Sequence, residues 1–546
     1  MPSERPVQSF DLISQPWIPV QDLSDAESEL SLLDVFAEAK NLRRLVGDIP
    51  TQEFALLRLL LAIVHDAVDG PADLDAWSVL REDGLPCDDI AAYLDEHRER
   101  FDLLHPETPF FQVAGLHTAK NEVASLDRIV ADVPNGERFF TMRAQGAGRL
   151  GFAEAARWVV HAHAYDPSGI KSGAVGDSRV KGGKGYPQGV GWAGNLGGVL
   201  AEGADLRETL LLNLIATDTE NLRSGKDDRP AWRREPPGPG EADPVELASR
   251  PSGVRDLYTW QSRRLRLHYD ADGVHGVVLG YGDPLTPRNK QQHEPMTAWR
   301  RSPVQEKKLR EPQVYLPREH DPTRTAWRGL AALVTGAVKD AGQRQEPAKF
   351  VRPRILDWVA RLTVEDCLEE DFLIRARLFG AVYGTQQSVI DEVVDDGVKM
   401  AVVLLHDQDS PLCQAAIGAV SDAEETVYAV LGDLAADLAQ AAGAEPSVAQ
   451  AAARDLGFAT LDGPFRAWLR DLKPGHDPHE RRQIWQHRVH QLISGLGDDL
   501  LKEAGDAAWE GRVIDTRGGG SLWLTASSAD LRFRRRLRDA LPLTNA

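Results

Sequence analysis

At 546 residues the chain exceeds one ordinary domain, and two or more hydrophobic cores are expected. Hydrophobic content of 42% and charged content of 27% fit a soluble globular protein and exclude a fibrous or membrane-embedded one. A net charge of -20 excludes a generic nucleic-acid coat, because phosphate contacts need Lys and Arg, but it leaves room for a local basic groove. Cys87, Cys367 and Cys413 are few and far apart, so neither a disulfide framework nor a CxxC zinc half-site is expected. With no basic-then-apolar segment at the N-terminus, the expected compartment is the cytoplasm.

In chain order, Leu12-Ile13 and Trp17-Ile18-Pro19-Val20 read as short strands. Thr51 is the expected N-cap of a helix running through Val64; its apolar stretch from Phe54 carries Arg58 and reads as a buried core helix, not a membrane span. Residues 166–203 are rich in glycine, which implies irregular backbone suited to close approach of a ligand. Pro236-Pro237-Gly238-Pro239-Gly240 reads as a surface linker, and Leu257 to Val278 alternates like a strand. After about residue 400, Ala and Leu dominate and strand signals almost vanish. Segments 411–442, 446–456, 462–472, 478–505 and 527–541 have helical period, separated by Gly443, Pro446, Gly463-Pro464 and Gly518-Gly519-Gly520. Short connections between amphipathic helices favour an antiparallel bundle. The expected domains are therefore 1–400, mixed α/β, and 401–546, helical, an α+β chain.

Several motifs invite chemistry. Gly146-Ala147-Gly148-Arg149-Leu150-Gly151 and Gly189-Val190-Gly191-Trp192-Ala193-Gly194 both match GxGxxG, but a dinucleotide site needs an apolar strand before the glycines and a βαβ unit after them. Thr141, Arg143 and Gln145 spoil that strand. Gly182-Gly183-Lys184-Gly185 fails as a phosphate loop, because the residue after Lys184 is Gly and offers magnesium no hydroxyl. Arg179, Lys181 and Lys184 on this glycine-rich backbone are instead candidates to reach a nucleic-acid phosphate backbone. His476, His479, His487 and His490 form two HxxH pairs, but Pro478 separates the first from its helix, and exposed or hydrogen-bonded histidines are expected instead of a metal site. Nothing supplies nucleophile, base and orienting group together, so neither catalysis nor a cofactor is expected. Phe139, Phe140, Thr141 and Met142 read as a core strand or as an apolar-tipped loop entering a DNA groove. In Tyr383-Gly384-Thr385-Gln386-Gln387-Ser388, a stiffly held glutamine would push between base pairs; the plainer alternative is a polar loop. Two rival functions remain on these grounds, a nucleotide-dependent enzyme using a glycine-rich loop and a structural subunit that contacts only protein.

Four blocks carry a resemblance. Phe10-Asp11-Leu12-Ile13-Ser14-Gln15-Pro16-Trp17-Ile18-Pro19-Val20, Thr108-Pro109-Phe110-Phe111-Gln112, Pro230-Ala231-Trp232 and Gly253-Val254-Arg255-Asp256-Leu257-Tyr258-Thr259-Trp260-Gln261, in that order, resemble the large subunit of type I-E CRISPR Cascade, the CasA family. The resemblance implies a mixed α/β N-terminal domain followed by a C-terminal four-helix bundle. It also implies a subunit of an RNA-guided complex that reads the protospacer-adjacent motif (PAM) of double-stranded DNA largely from the minor groove. Such a subunit starts unwinding and R-loop formation and helps recruit a helicase-nuclease. The implied partners are the other Cascade subunits, the guide RNA, target DNA and that helicase-nuclease. Carried over by residue, the PAM contacts would be Phe139 to Met142, here without the family's Asn; Gly169-Ile170-Lys171-Ser172-Gly173, preceded by Ser168; and Lys290, nine residues before Trp299 and the following Ser302-Pro303. The wedge would be Gln387, with Gln386 beside it. The zinc knuckle of some members is not expected, because no Cys lies between Cys87 and Cys367. Minor-groove edges separate base pairs poorly, so few contacts give a permissive short readout, and RNA pairing supplies the long specificity.

Overall fold

The most apolar stretch of the sequence forms a helix that is hidden from solvent all round. In the computed structural model, which describes residues 8–133, 146–220, 222–335, 347–406, 410–515 and 520–543, the helix Pro50–Ala67 is buried from Thr51 to Asp66. A helix without a solvated face must satisfy any charge it carries from within the core. Arg58 does so through two bonds of 2.9 Å to the carboxylate of Glu294, with its guanidinium 4.3 Å from the ring centroid of Tyr258. The indole of Trp192 donates to the same carboxylate at 2.7 Å. The helix starts just ahead of the expected cap: Ile49 is the N-cap and Pro50 the first helical residue, where a missing N–H costs nothing. Thr51 lies inside the helix, its hydroxyl 2.9 Å from Nε2 of His161.

Around this helix the strands form small sheets. Ile18–Asp22 runs antiparallel between Glu27–Leu30 and Leu42–Leu45. No strand forms at Leu12-Ile13, because the Asp11 carboxylate accepts from the Ile13 amide at 3.0 Å and the Ser14 hydroxyl at 2.7 Å and turns the chain. The alternation from Leu257 to Val278 resolves into the short helix Val254–Tyr258 and the antiparallel pair Arg263–Asp270 and Gly273–Tyr281. A long hairpin, Leu373–Tyr383 and Ile390–Ala401, joins Gly198–Glu202 through its first strand. The expected linker Pro236 to Gly240 is strapped down: the carbonyls of Gly238 and Gly240 accept from Nε of Arg264 at 2.9 and 3.0 Å.

The chain divides into two units. The first holds Met1–Thr323, Gly336–Cys367 and Arg375–Gly397; the second holds Arg324–Thr335, Leu368–Ile374 and Val398–Ala546. The second unit is built on long helices. Ser410–Glu425 continues through a π-helical stretch, Thr426–Leu431, into Gly432–Ala442, followed by Pro446–Arg470, Pro478–Glu503 and Ala526–Ala540. Gly443 ends its helix in the left-handed region, φ 79°, and Pro446 opens the next. Gly463-Pro464 does not separate two helices as expected; Pro446–Arg470 runs through it. Packing outweighs the local cost there, since Phe465 is fully buried with its ring 4.4 Å from Trp327 and 5.0 Å from Trp485. The Trp327 indole also donates to Asp462 at 2.9 Å, which draws Arg324–Thr335 into the helical unit. A hairpin of Arg512–Asp515 and Ser521–Leu524 adds strands that the Ala- and Leu-rich composition had hidden. Among the described residues no helix is long and apolar enough to cross a membrane.

Candidate nucleic-acid interface

The glycine-rich segment and the glutamine turn meet in the first unit. The Ser168 amide donates to the Gln387 carbonyl at 2.7 Å, and the Ser168 hydroxyl accepts from the Gly189 amide at 3.0 Å. The Gly169 carbonyl accepts from the Tyr281 hydroxyl at 2.6 Å, and that of Ile170 from Arg128 at 3.3 Å. These bonds leave the Ile170 side chain 47% exposed at the bend. Lys171–Ser172 then pairs antiparallel with Lys184–Gly185.

Gln386 and Gln387 form the tip of the long hairpin. Both are exposed, and both occupy the left-handed region at φ 57° and 55°. The turn is closed by the Gln387 amide donating to Gly384 at 2.9 Å and the Gly384 amide donating to Val389 at 3.0 Å. Two successive non-glycine residues in this conformation cost about 1–3 kcal/mol each. The surrounding bonds hold that strain and present two amide side chains to solvent on a stiff support.

The cations sort into two kinds. Lys181 and Lys184 exchange backbone hydrogen bonds of 3.1 Å across Gly182 and Gly183, whose φ of 57° and 72° give the turn a tight hairpin needs. Both lysines are exposed, and among the described residues neither has a carboxylate partner. Arg179 departs from the expectation placed on it. It pairs with Asp177 at 2.9 Å and Glu241 at 3.2 Å and donates to the carbonyls of Tyr281 and Gly282 at 2.8 and 2.9 Å, so it clamps the loop's base. Lys171 also turns inward: its ammonium lies 2.6 Å from Asp166, both side chains are buried, and Arg263 grips the same carboxylate. Burial pushes the Lys171 ammonium below its ordinary range, against the pull of Asp166.

Lys290 is half-buried beside Arg223 and the His293 ring, and Arg223 lies 3.2 Å from that ring. Burial, then the Arg223 charge, pushes the Lys290 ammonium down; burial with both cations brings His293 to about 4. The Lys290 carbonyl accepts from the amides of His293 and Glu294 at 2.9 and 3.1 Å, anchoring it beside the buried Arg58–Glu294 pair. Among the described residues no hydrogen bond or ion pair ties Lys290 to the Ser168–Gln387 assembly. Phe139, Phe140, Thr141 and Met142 lie outside the described residues.

The rival motifs fare differently. In the first GxGxxG, the Ala147 amide donates to Asp127 at 2.7 Å, so a carboxylate sits where a pyrophosphate would be needed. The second leads into the short turn Trp192–Asn195, not from a strand into a helix. His476 accepts from the Lys473 amide at 3.1 Å, Pro478 is a first-turn residue, and the described residues hold no cluster able to take a metal. Sequence reasoning missed the partners: Ser168 lies far from Gln387 along the chain, and Asp166, although near Lys171 in sequence, meets it only because the irregular glycine-rich backbone turns the ammonium inward.

Comparison with known proteins defines the class. The family model for the CRISPR-associated protein Cse1 matches residues 11–496. The crystal structure of Thermobifida fusca Cse1 is similar at a TM-score of 0.90 and 66% identity, covering 98% of this chain and 99% of that one. A CRISPR-associated protein CasA/Cse1 of Thermus thermophilus is 30% identical over 305 residues, 54% of this chain; the match spans about half, 55%, of that relative's length. A chain of a CRISPR RNA-guided surveillance complex shares the fold at a TM-score of 0.62 and 18% identity, covering 90% of this chain and 99% of its own. The fold is thus that of a CRISPR Cascade component. The chain belongs to the CasA/Cse1 family, the large subunit of type I-E Cascade.

Proposed function

We propose that this subunit reads the PAM of double-stranded DNA, opens the adjacent base step to start R-loop formation, and helps recruit a helicase-nuclease, without catalysis or a cofactor of its own. It acts in the cytoplasm with the other Cascade subunits and their guide RNA. The observation that carries the reading is the 2.7 Å bond from the Ser168 amide to the Gln387 carbonyl. It couples the loop of Ser168, Gly169, Ile170, Lys171 and Ser172 to the two exposed glutamines. A side chain that unstacks a base step must resist the few kcal/mol that unstacking costs, so it needs a support that does not yield. An uncharged amide enters a stack without dragging in a solvated charge. Lys290 supplies a charged donor to the acceptor-rich minor groove, and Phe139 to Met142 are assigned to the same readout. Lys181 and Lys184 follow the phosphates, while Arg179 and Lys171 hold the loops in shape.

The test uses the assembled complex on intact duplex and on duplex melted beside the PAM, read by strand-opening fluorescence. Gln387→Ala should keep most initial binding and lose opening rate, and the bubble should restore that rate. Lys290→Ala should lose initial binding on both substrates. Rescue of both variants to the same degree, or of neither, overturns this division of labour.

A further inference from the structure

The first unit holds a second candidate site, a cavity of about 410 Å³. Two blocks that carry the family resemblance, Thr108 to Gln112 and Pro230 to Trp232, line one side of it; Phe111 is half-buried there, and the buried Trp232 backs it. The rings of Phe111 and Trp232 are nearly parallel, 18° apart, with centroids 6.5 Å apart. Phe111 continues a stack onto Phe110 at 4.3 Å. Phe111 is also strained, with φ 52°, a left-handed conformation that a bulky residue rarely adopts. The His163 ring holds it there by donating to its carbonyl at 2.8 Å.

The other side of the cavity is cationic. Six arginines and four acidic residues line it, a local excess of positive charge in a chain of net charge -20. Most of these arginines are neutralised, as Arg264 is by Asp283 at 2.6 Å and Arg250 by Asp256 at 2.6 Å. Arg100 is not. It is half-buried and donates to the carbonyls of Arg234 and Ala231, at 2.8 and 3.2 Å; the Glu235 carboxylate acts on it from a distance, but among the described residues none lies within ion-pair distance. Arg229 stands exposed and pairs with Asp227 at 3.2 Å. A guanidinium without a direct ion pair beside an accessible aromatic ring suits an anion joined to a planar ring.

We infer that this cavity takes one unpaired nucleotide of a single-stranded nucleic acid, its base against Phe111, which Trp232 backs, and its phosphate at Arg100 and Arg229. The inference rests on the nucleic-acid reading proposed above. Every base offers a π face, so such a site tolerates any sequence, and the volume lies within the range of small-ligand pockets. An acidic peptide would answer the arginines but make no use of the aromatic wall.

The experiment uses the full chain with short single-stranded RNA and DNA, each carrying one photoreactive thio-base. Crosslinks should fall within residues 108–112 or 229–234. Binding by anisotropy should weaken about tenfold or more in Arg100→Gln and Arg229→Glu, the loss expected of one stacked and charge-assisted contact. Thermal unfolding of the variants by circular dichroism confirms that they fold, and Arg229→Glu, altered on the surface, stands if Arg100→Gln does not. Tighter RNA binding makes the guide the source and tighter DNA binding the displaced strand; either supports the site. Crosslinks elsewhere, affinities unchanged in both variants, or binding of an oligoglutamate peptide in place of either oligonucleotide overturn it. PAM-independent duplex opening with these crosslinks intact defeats the proposed function and leaves the cavity standing; normal PAM-dependent opening without them defeats the cavity alone.

Discussion

The two units handle buried polarity differently. In the helical unit most backbone groups bond within their own helix, and many ions stay outside, as in Lys502–Asp499 at 3.0 Å with side chains 74% and 64% exposed. The first unit is full of irregular chain, whose amides and carbonyls must find partners elsewhere. Arginines supply many of them. Arg263 donates to the carbonyls of Asp166 and Gly189 at 2.7 and 3.0 Å, Arg264 to Gly238 and Gly240, and Arg179 to Tyr281 and Gly282. A helix needs no outside cation to hold its shape, whereas a glycine-rich loop that must stay still does. Cations in such a loop are therefore structural first and available to a ligand only if left over.

The widest expected gap between the units is in acid. Burial pushes His161 to about 3 and His163 and His320 to about 4, against an ordinary 6.5. A histidine that stays neutral when folded binds fewer protons than when unfolded, so stability is full above 6.5 and falls as pH drops toward the folded value. Each should cost roughly 1.4 kcal/mol per pH unit in that window. Glu53, pushed up to about 7 by burial despite Arg377, works in the opposite sense between its ordinary 4.5 and 7 and offsets about one histidine. Peptide-resolved hydrogen exchange should show Pro50–Ala67 opening at a higher pH than Pro478–Glu503. Simultaneous opening would end the contrast.

Breaking one pair in each unit comes next in size. Glu294→Ala strands the Arg58 charge in the core and should cost about 3–5 kcal/mol by denaturant unfolding. Lys502→Ala should leave the unfolding midpoint essentially unchanged, because its pair is solvated and screened. Comparable losses would mean that burial does not separate the two units' ions.

The same contrast governs what could be read from the sequence. Local signals sufficed for the helical segments after residue 410, for the core helix around Arg58 and for the stop at Gly443, since each depends on neighbours within a few positions. Gly463-Pro464 misled because a distant tryptophan, Trp327, packs against the adjoining Phe465. In the candidate site, the glycine-rich loop and the glutamines were legible as residue types in an unusual setting. The fates of Lys171 and Arg179 were not: Asp166 and Asp177 are near them in sequence, but an irregular glycine-rich backbone has no period to tell which charges meet, and the Tyr281 and Gly282 carbonyls that Arg179 grips come from the end of a distant strand. Composition marks where cations are; only packing tells which are spent.

A smaller effect should appear at the hairpin tip. Gln387→Gly removes a side chain from the left-handed region and should raise stability by up to about 1 kcal/mol, less whatever the freer unfolded chain regains. It should also slow duplex opening, a gain in stability bought with function. A destabilised variant would show that the turn is not strained.

The smallest effect on the fold, and the sharpest on charge, belongs to Lys181 and Lys184. Both flank a two-glycine turn whose shape is set by backbone bonds and positive φ, so Lys181→Ala with Lys184→Ala should leave the unfolding midpoint unchanged. If each ammonium meets one phosphate, the slope of log affinity against log salt should flatten by about 0.9 per lysine, nearly 2 for the pair. The loss should be the same on PAM and non-PAM duplexes, because phosphate contacts carry no sequence information. Arg179→Ala separates the two kinds of cation. It removes the clamp on Tyr281 and Gly282, so it should lower stability and weaken binding through a displaced loop. If Arg179→Ala instead flattened the salt slope at unchanged stability, while the lysine pair did nothing, the left-over charge would lie at the arginine and the assignment would have to be reversed.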